Sequence, residues 1–253
     1  MLSNENKMIK KFRTALFEGY DYPHYHRVTE ILGILLFITY FILIAIDISP
    51  LIFQLSLLNK LIFLFAIPSI SYIGADFMSG MVHFLCDNFG SPETPYLGPS
   101  FIKSFRDHHT DPKGITRHDF IEVNGSNCII STPILMLCYY SFPNAESMWW
   151  LAFSVFIMFF MLFIFLTNQF HKWAHQDNPP ELIKKLQSIN LILPSEHHSV
   201  HHSEPYDKYY CITCGWLNPF LSKIKFFETT EKIIRWTFRV EKEEVLAEKI
   251  TNR

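Results

Sequence analysis

Long apolar runs alternate with short polar patches along this chain, and the runs are of membrane length. The first extends from about Val28 to Ile48, enough as a helix to cross a hydrocarbon layer of about 30 Å. A second covers about Leu57 to Leu85, interrupted by Lys60 and Pro68 and turning polar from Asp76 onward. A third, about Cys128 to Phe142, is short for a full crossing. The fourth, Met148 to Asn168, opens on Trp149-Trp150 and continues in almost unbroken Phe, Met, Ile and Leu. The pattern predicts an all-α integral membrane protein with about four transmembrane helices, at about 28–48, 57–85, 128–142 and 148–168. Residues 1–27 read as an N-terminal arm, 28–228 as one membrane domain and 229–253 as a charged tail. That tail has an amphipathic helical pattern in Ile233, Ile234, Trp236, Val240, Val245 and Leu246.

Composition agrees: 49% of the 253 residues are hydrophobic, 16% aromatic and only 18% charged. The net charge of -2 argues against nucleic acid, whose binding needs a concentrated basic face. Five cysteines (Cys86, Cys128, Cys138, Cys211, Cys214) are an odd number without secreted-domain spacing, so no disulfide framework is expected. Cys211 and Cys214 form a lone C-x-x-C, a weak signal for zinc or redox chemistry. Residues 1–11 contain no apolar core, and no small-residue cleavage site precedes residue 28, so the arm does not read as a signal peptide. Tyr20, Tyr22 and Tyr25 suit an interfacial belt ahead of the first crossing.

Charge also sets the expected orientation. Lys7, Lys10, Lys11, Arg13 and Arg27 precede the first crossing; Lys103, Arg106, Lys113 and Arg117 lie in the 86–127 loop; many more follow residue 170. The connections near 49–56 and 143–147 have no Lys or Arg. By the positive-inside rule both termini and the central loop face the cytosol. That side then carries a helical cap rich in histidine.

Ten of the twelve histidines fall in five patches: His83; His108-His109; His118; His171 with His175; and His197-His198 with His201-His202. Histidine is the commonest protein ligand for transition metals. His171 and His175 are four apart, which puts both rings on one helix face, although a bare H-x-x-x-H is a weak signal. Four imidazoles within 197–202 are a much stronger one. Asp76, Ser79, Gly80, His83 and Asp87 share a helical stripe at the end of the second apolar run. Ionisable groups at membrane depth are costly and usually functional, which favours His83 as a ligand with carboxylates behind it. Asp119 and Glu122 beside His118 are candidates for the same orienting role as Asp76 and Asp87. Adjacent His108 and His109 diverge by about 100° on a helix and would reach different ions. Arg106 and Arg117 suit an anionic headgroup or simple pairing with nearby aspartates. Two irons with about four or five nitrogen ligands each would use eight to ten imidazoles, whereas one zinc needs about three or four; the count favours a dinuclear centre.

These motifs resemble the Kua and CarF family of plasmanylethanolamine desaturases. The resemblance rests on Asp76-x-x-Ser79-Gly80-x-x-His83, on Phe101 to Pro112 around His108-His109, and on Ile115 to Glu122 around His118. It continues through Thr167 to His175, Leu191 to His202, and Tyr210 to Asn218, covering roughly residues 70 to 225. One departure is Cys214, where the family has Thr. The resemblance implies an O2-dependent, di-iron membrane desaturase that removes two hydrogens from the sn-1 alkyl chain of an ether phospholipid, giving a vinyl ether. It implies that His171, His175 and the 197–202 run are the family's two histidine boxes; His83, His108, His109 and His118 are expected to complete the ligand set, with His197 either a ligand or a support behind one. The family's plant members act instead on an acyl chain. No haem, flavin or iron–sulfur motif is present, so electrons are expected from a separate cytochrome b5 or ferredoxin. The source membrane is expected to be a bacterial inner membrane or the endoplasmic reticulum. Alternatives are an acyl-lipid desaturase or hydroxylase with the same centre, a non-enzymatic membrane metal carrier or sensor, and a membrane zinc hydrolase with Glu196 as base.

Overall fold

The computed structural model describes residues 24–95, 98, 102–141 and 147–240. The arm up to residue 23, with Tyr20 and Tyr22, and the tail from residue 241, with Val245 and Leu246, lie outside the described residues. Among the described residues there is helix and no strand. Four of the described helices are long and apolar enough to cross a membrane: α1 (His24–Phe53), α2 (Leu57–Asn88), α4 (Phe120–Ser141) and α5 (Met148–His175). Shorter helices are α3 (Lys103–Thr110), α6 (Glu181–Ser188), α7 (Ser195–Ser199), α8 (Asn218–Lys223) and α9 (Phe226–Phe238).

The described residues divide into two compact units, those within 1–72 and 117–169, and those within 73–116 and 170–253. The first is built on an apolar core of Phe37, Ile44, Phe63, Leu135, Val155 and Phe165 with their neighbours. On α1 the remaining face, including Leu32, Leu35, Ile42 and Ile46, is exposed, as befits a helix whose solvent is lipid. Gly33 and Gly125 allow close helix approach: a Cβ on Gly33 would meet Ile129 Cγ1 at 2.8 Å, and one on Gly125 would meet Glu30 Cβ at 2.4 Å. Pro68 has no N–H for the carbonyl of Leu64, and α2 widens into a π turn over Ile62–Ala66 just before it.

The third crossing is longer than its apolar run, starting at Phe120 rather than near Cys128. Its first turns are polar, and several of their groups are paired within the protein. Asp119 accepts from the backbone N–H of Glu122 and so caps the helix. Asn124 Nδ2 donates to Phe120 O and Gln169 Oε1, Asn127 Nδ2 to Ile164 O, and Thr132 Oγ1 to Cys128 O. Polar groups paired in this way lower the hydropathy of a segment without lowering its fitness for a membrane. At the other end, α5 continues past Asn168 to His175, so the membrane helix itself carries two histidines.

In the second unit Phe84, Tyr210, Cys211, Leu221 and Phe227 form one core cluster, and Ala174, Leu193 and Ile212 another. The predicted tail helix begins as α9. Ile234 packs toward the first of these clusters, while Ile233, Trp236 and Val240 are exposed.

Candidate metal centre

Four stretches of the second unit bring candidate ligands together: the end of α2, α3, the end of α5, and the α7 region. They produce two groups whose ligand atoms lie within 4.8 Å of one another: His108, His171, His175, His198 and His202; and His83, Asp87, His109 and His201. The groups adjoin, with the His109 and His202 ring centroids 5.3 Å apart and those of His201 and His202 5.4 Å apart.

The first group is made of Nε2 atoms. His108 and His175 approach to 2.9 Å, His175 and His171 to 3.2 Å, His171 and His198 to 2.8 Å, and His198 and His202 to 3.0 Å. Ligands at right angles on metal–nitrogen bonds of about 2.1 Å would be separated by about 3.0 Å, so the spacing fits neighbouring positions around one ion. Burial reinforces the fit by keeping the rings neutral, the ligating form. Burial, then the neighbouring imidazoles, lowers His108 to about 2 and His202 to about 3, and holds His198 well below its usual range.

The second group surrounds a carboxylate. Asp87 Oδ2 lies 3.1 Å from His109 Nε2, 3.4 Å from His83 Nε2 and 3.6 Å from His201 Nε2. His83 Nδ1 donates to the carbonyl of Tyr210 at 3.1 Å, and His201 Nδ1 to that of Lys208 at 2.9 Å. A carbonyl only accepts, so both rings carry their proton on Nδ1 and turn the Nε2 lone pair inward. Those two Nε2 atoms, and Asp87 Oδ1, are buried without a hydrogen-bond partner. Buried polar atoms are rarely left so, and a cation is the partner that suits them. His201, like His108, His198 and His202, is lowered, to about 3, chiefly by burial.

Eight of the ten expected ligands thus converge. His118 and His197 lie outside both groups. His118 Nδ1 pairs with Glu122 Oε1 at 2.7 Å and is half exposed. His197 Nε2 lies 3.2 Å from Asn218 Nδ2 and packs against Gly215, where a Cβ would meet its ring at 2.6 Å. Gly215 has φ +76°, so glycine serves both conformation and contact. The carboxylates also sort differently from expectation. Asp119 holds the buried guanidinium of Arg27 through both oxygens; Asp76 binds a loop; Asp87 stands among the candidate ligands themselves. The four-residue spacing of His83 and Asp87 was the signal for that last role. Arg106 donates from Nη2 to Gly90 O at 2.7 Å, and Arg117 ends a 3-10 turn, Gly114–Arg117.

A helical membrane protein with such a histidine-rich centre has a counterpart among known families. The lipid desaturase domain matches residues 72–244, well over half of the chain, and the chain belongs to that family. Plasmanylethanolamine desaturase of Myxococcus xanthus is 49% identical over 66% of this chain and 59% of its own length. Plasmanylethanolamine desaturase 1 of Mus musculus is 42% identical over 64% and 61%. The chloroplastic fatty acid desaturase 4 of Arabidopsis thaliana is 33% identical over 64% and 49%. The chain therefore spans about three fifths of the length of the first two relatives. No solved structure matches it.

Proposed function

We propose that this chain is an O2-dependent lipid desaturase that converts the sn-1 alkyl ether of a phospholipid into a vinyl ether, using two iron ions. The observation that carries the substrate is the higher identity to the two plasmanylethanolamine desaturases than to the chloroplast fatty acid desaturase. In this reading His108, His171, His175, His198 and His202 hold one ion, and His83, Asp87, His109 and His201 the other. Bound iron supplies the O2-dependent oxidation needed to break unactivated C–H bonds. Two hydrogens leave adjacent chain carbons; with O2, two electrons and two protons, the products are the vinyl ether and two waters. The electrons come from a separate donor of cytochrome b5 or ferredoxin type.

The protein's own residues keep His108, His198, His201 and His202 neutral by burial, fix the His83 and His201 tautomers through main-chain carbonyls, and place one carboxylate in only one of the two groups. Lys and Arg placement supports a cytosol-facing centre. His118 with Glu122, and Arg106 and Arg117, remain candidates for the lipid headgroup or for orientation of the site.

The test is lipid analysis of plasmalogen-deficient cells fed an alkylglycerol and expressing this chain or a His171→Ala variant. Acid-labile vinyl ethers are expected with the wild type alone. If neither protein yields them although both reach the membrane, the ether substrate is wrong. New double bonds in acyl chains of the same extract would then establish the acyl-lipid reading, which the chloroplast relative favours.

A further inference from the structure

The two carbonyls that orient His83 and His201 belong to residues 210 and 208 of one irregular segment. It is not helical, and Tyr209 and Gly215 take left-handed backbone conformations (φ 63° and 76°). Backbone groups in such a stretch must find partners other than a helix or a ladder. Here they are supplied by three buried side chains. Asp76 is fully buried, and its Oδ1 accepts from the N–H groups of Cys214 at 2.9 Å and Gly215 at 2.8 Å. Its Oδ2 accepts from Leu217 N at 3.2 Å. Ser79 Oγ accepts from Ile212 N at 3.0 Å. Asn218 grips Cys211 on both sides, its Oδ1 accepting from Cys211 N and its Nδ2 donating to Cys211 O, each at 2.8 Å.

We propose that Asp76, with Ser79 and Asn218, is a positioning residue for the His83–Asp87–His109–His201 group, acting through the main chain of residues 208–218. A buried carboxylate is costly unless several donors meet it, and all three donors named here are backbone N–H groups of this segment. The burial of that charge is therefore committed to the loop. Positions 76, 79, 80, 83 and 87 fall on one helical stripe. That stripe carries the clamp (Asp76, Ser79), a close contact (a Cβ on Gly80 would meet Cys211 Sγ at 2.5 Å) and two ligands. One face of α2 thus fixes both the ligands and the carbonyls that aim them. The five-histidine group has no such carbonyl from this segment among its described hydrogen bonds, so the clamp acts on one group alone.

The inference rests on the reading that each group holds an ion, and the test separates the two. Cobalt(II) is titrated into the full-length, metal-stripped protein in detergent, following its ligand-field absorption. Wild type is compared with Asp76→Asn, His83→Ala and His175→Ala. The wild type is expected to bind two equivalents. Asp76→Asn should weaken one of them about ten- to a hundredfold, the range typical of lost ligand-orienting partners. That equivalent should be the one His83→Ala abolishes, with the one sensitive to His175→Ala unmoved. Two unaltered equivalents, or two weakened alike, in a variant that unfolds at the wild-type temperature would overturn the proposal. A wild type that takes only one equivalent overturns the two-ion reading and the clamp's selectivity together. If Asp76→Asn does not fold, Ser79→Ala, which removes only the Ile212 bond, is put through the same comparison with a smaller shift of the same equivalent expected.

Discussion

The four histidines in the 197–202 run look alike in the chain but should respond differently to alanine substitution. His198 and His202 belong to the five-imidazole group, His201 to the carboxylate group, and His197 to neither. The free energy of a four-ligand zinc site is about 10–16 kcal/mol, so one ligand accounts for about 3 kcal/mol, or about a hundredfold in affinity. His198→Ala and His202→Ala reduce the first group from five ligands to four, and His201→Ala reduces the second from four to three. On the proposed two-iron desaturase reading, each should lose about one of two irons per chain during purification in metal-limited buffer, with vinyl-ether production falling with it. His197→Ala removes the contact to Asn218, worth about 1 kcal/mol of stability, and should keep both irons. Iron per chain is read by plasma mass spectrometry, and product by acid-labile lipid analysis. If His197→Ala loses as much iron as His198→Ala, the division of the run into ligands and support is wrong.

Three further outcomes follow from the geometry. Gly125→Ala would place a Cβ 2.4 Å from Glu30 Cβ, against about 3.5–4.0 Å for a normal contact; thermal unfolding in micelles should show a loss of about 1–3 kcal/mol. The metal-free protein should lose stability as pH falls from about 6.5 toward 3, measured by melting across that range. The unfolded chain takes up protons near the ordinary value of 6.5, whereas folded His108 resists to about 2 and His201 and His202 to about 3, so their contribution is complete above 6.5 and is lost through that window; a flat profile would contradict it. Lys113→Ala removes an exposed pair with Asp177 at 2.7 Å and should change the melting free energy by less than about 1 kcal/mol.

The membrane helices were legible because an apolar run must match the bilayer, and α1 and α5 do so without interruption. The start of α4 was not, because Asn124 and Asn127 read as loop residues until their partners, Gln169 Oε1 and Ile164 O, are known. Clustering alone nominated ten histidines, since few pressures other than metal gather imidazoles, and eight of them fall in the two groups. Their division into two groups could not be read from clustering, because it depends on which segments meet in space. Local sequence was most misleading for carboxylates. Asp119 stands next to His118 yet pairs with Arg27, 92 positions away; Asp76 shares the stripe of His83 yet serves backbone groups of residues 214–217. A carboxylate takes whichever donors the fold delivers, and sequence adjacency does not name them.

The five-histidine group also bears on how the chain matures. Its members come from three stretches, at 108, 171–175 and 198–202, so an ion bound there acts as a non-covalent cross-link closing two long loops, as a disulfide does in secreted domains. The last ligand leaves the ribosome only after the membrane helices have been made. On the two-iron reading, metal loading is therefore a late event that staples an already inserted protein, and iron starvation should shorten its lifetime in the membrane as well as silence it.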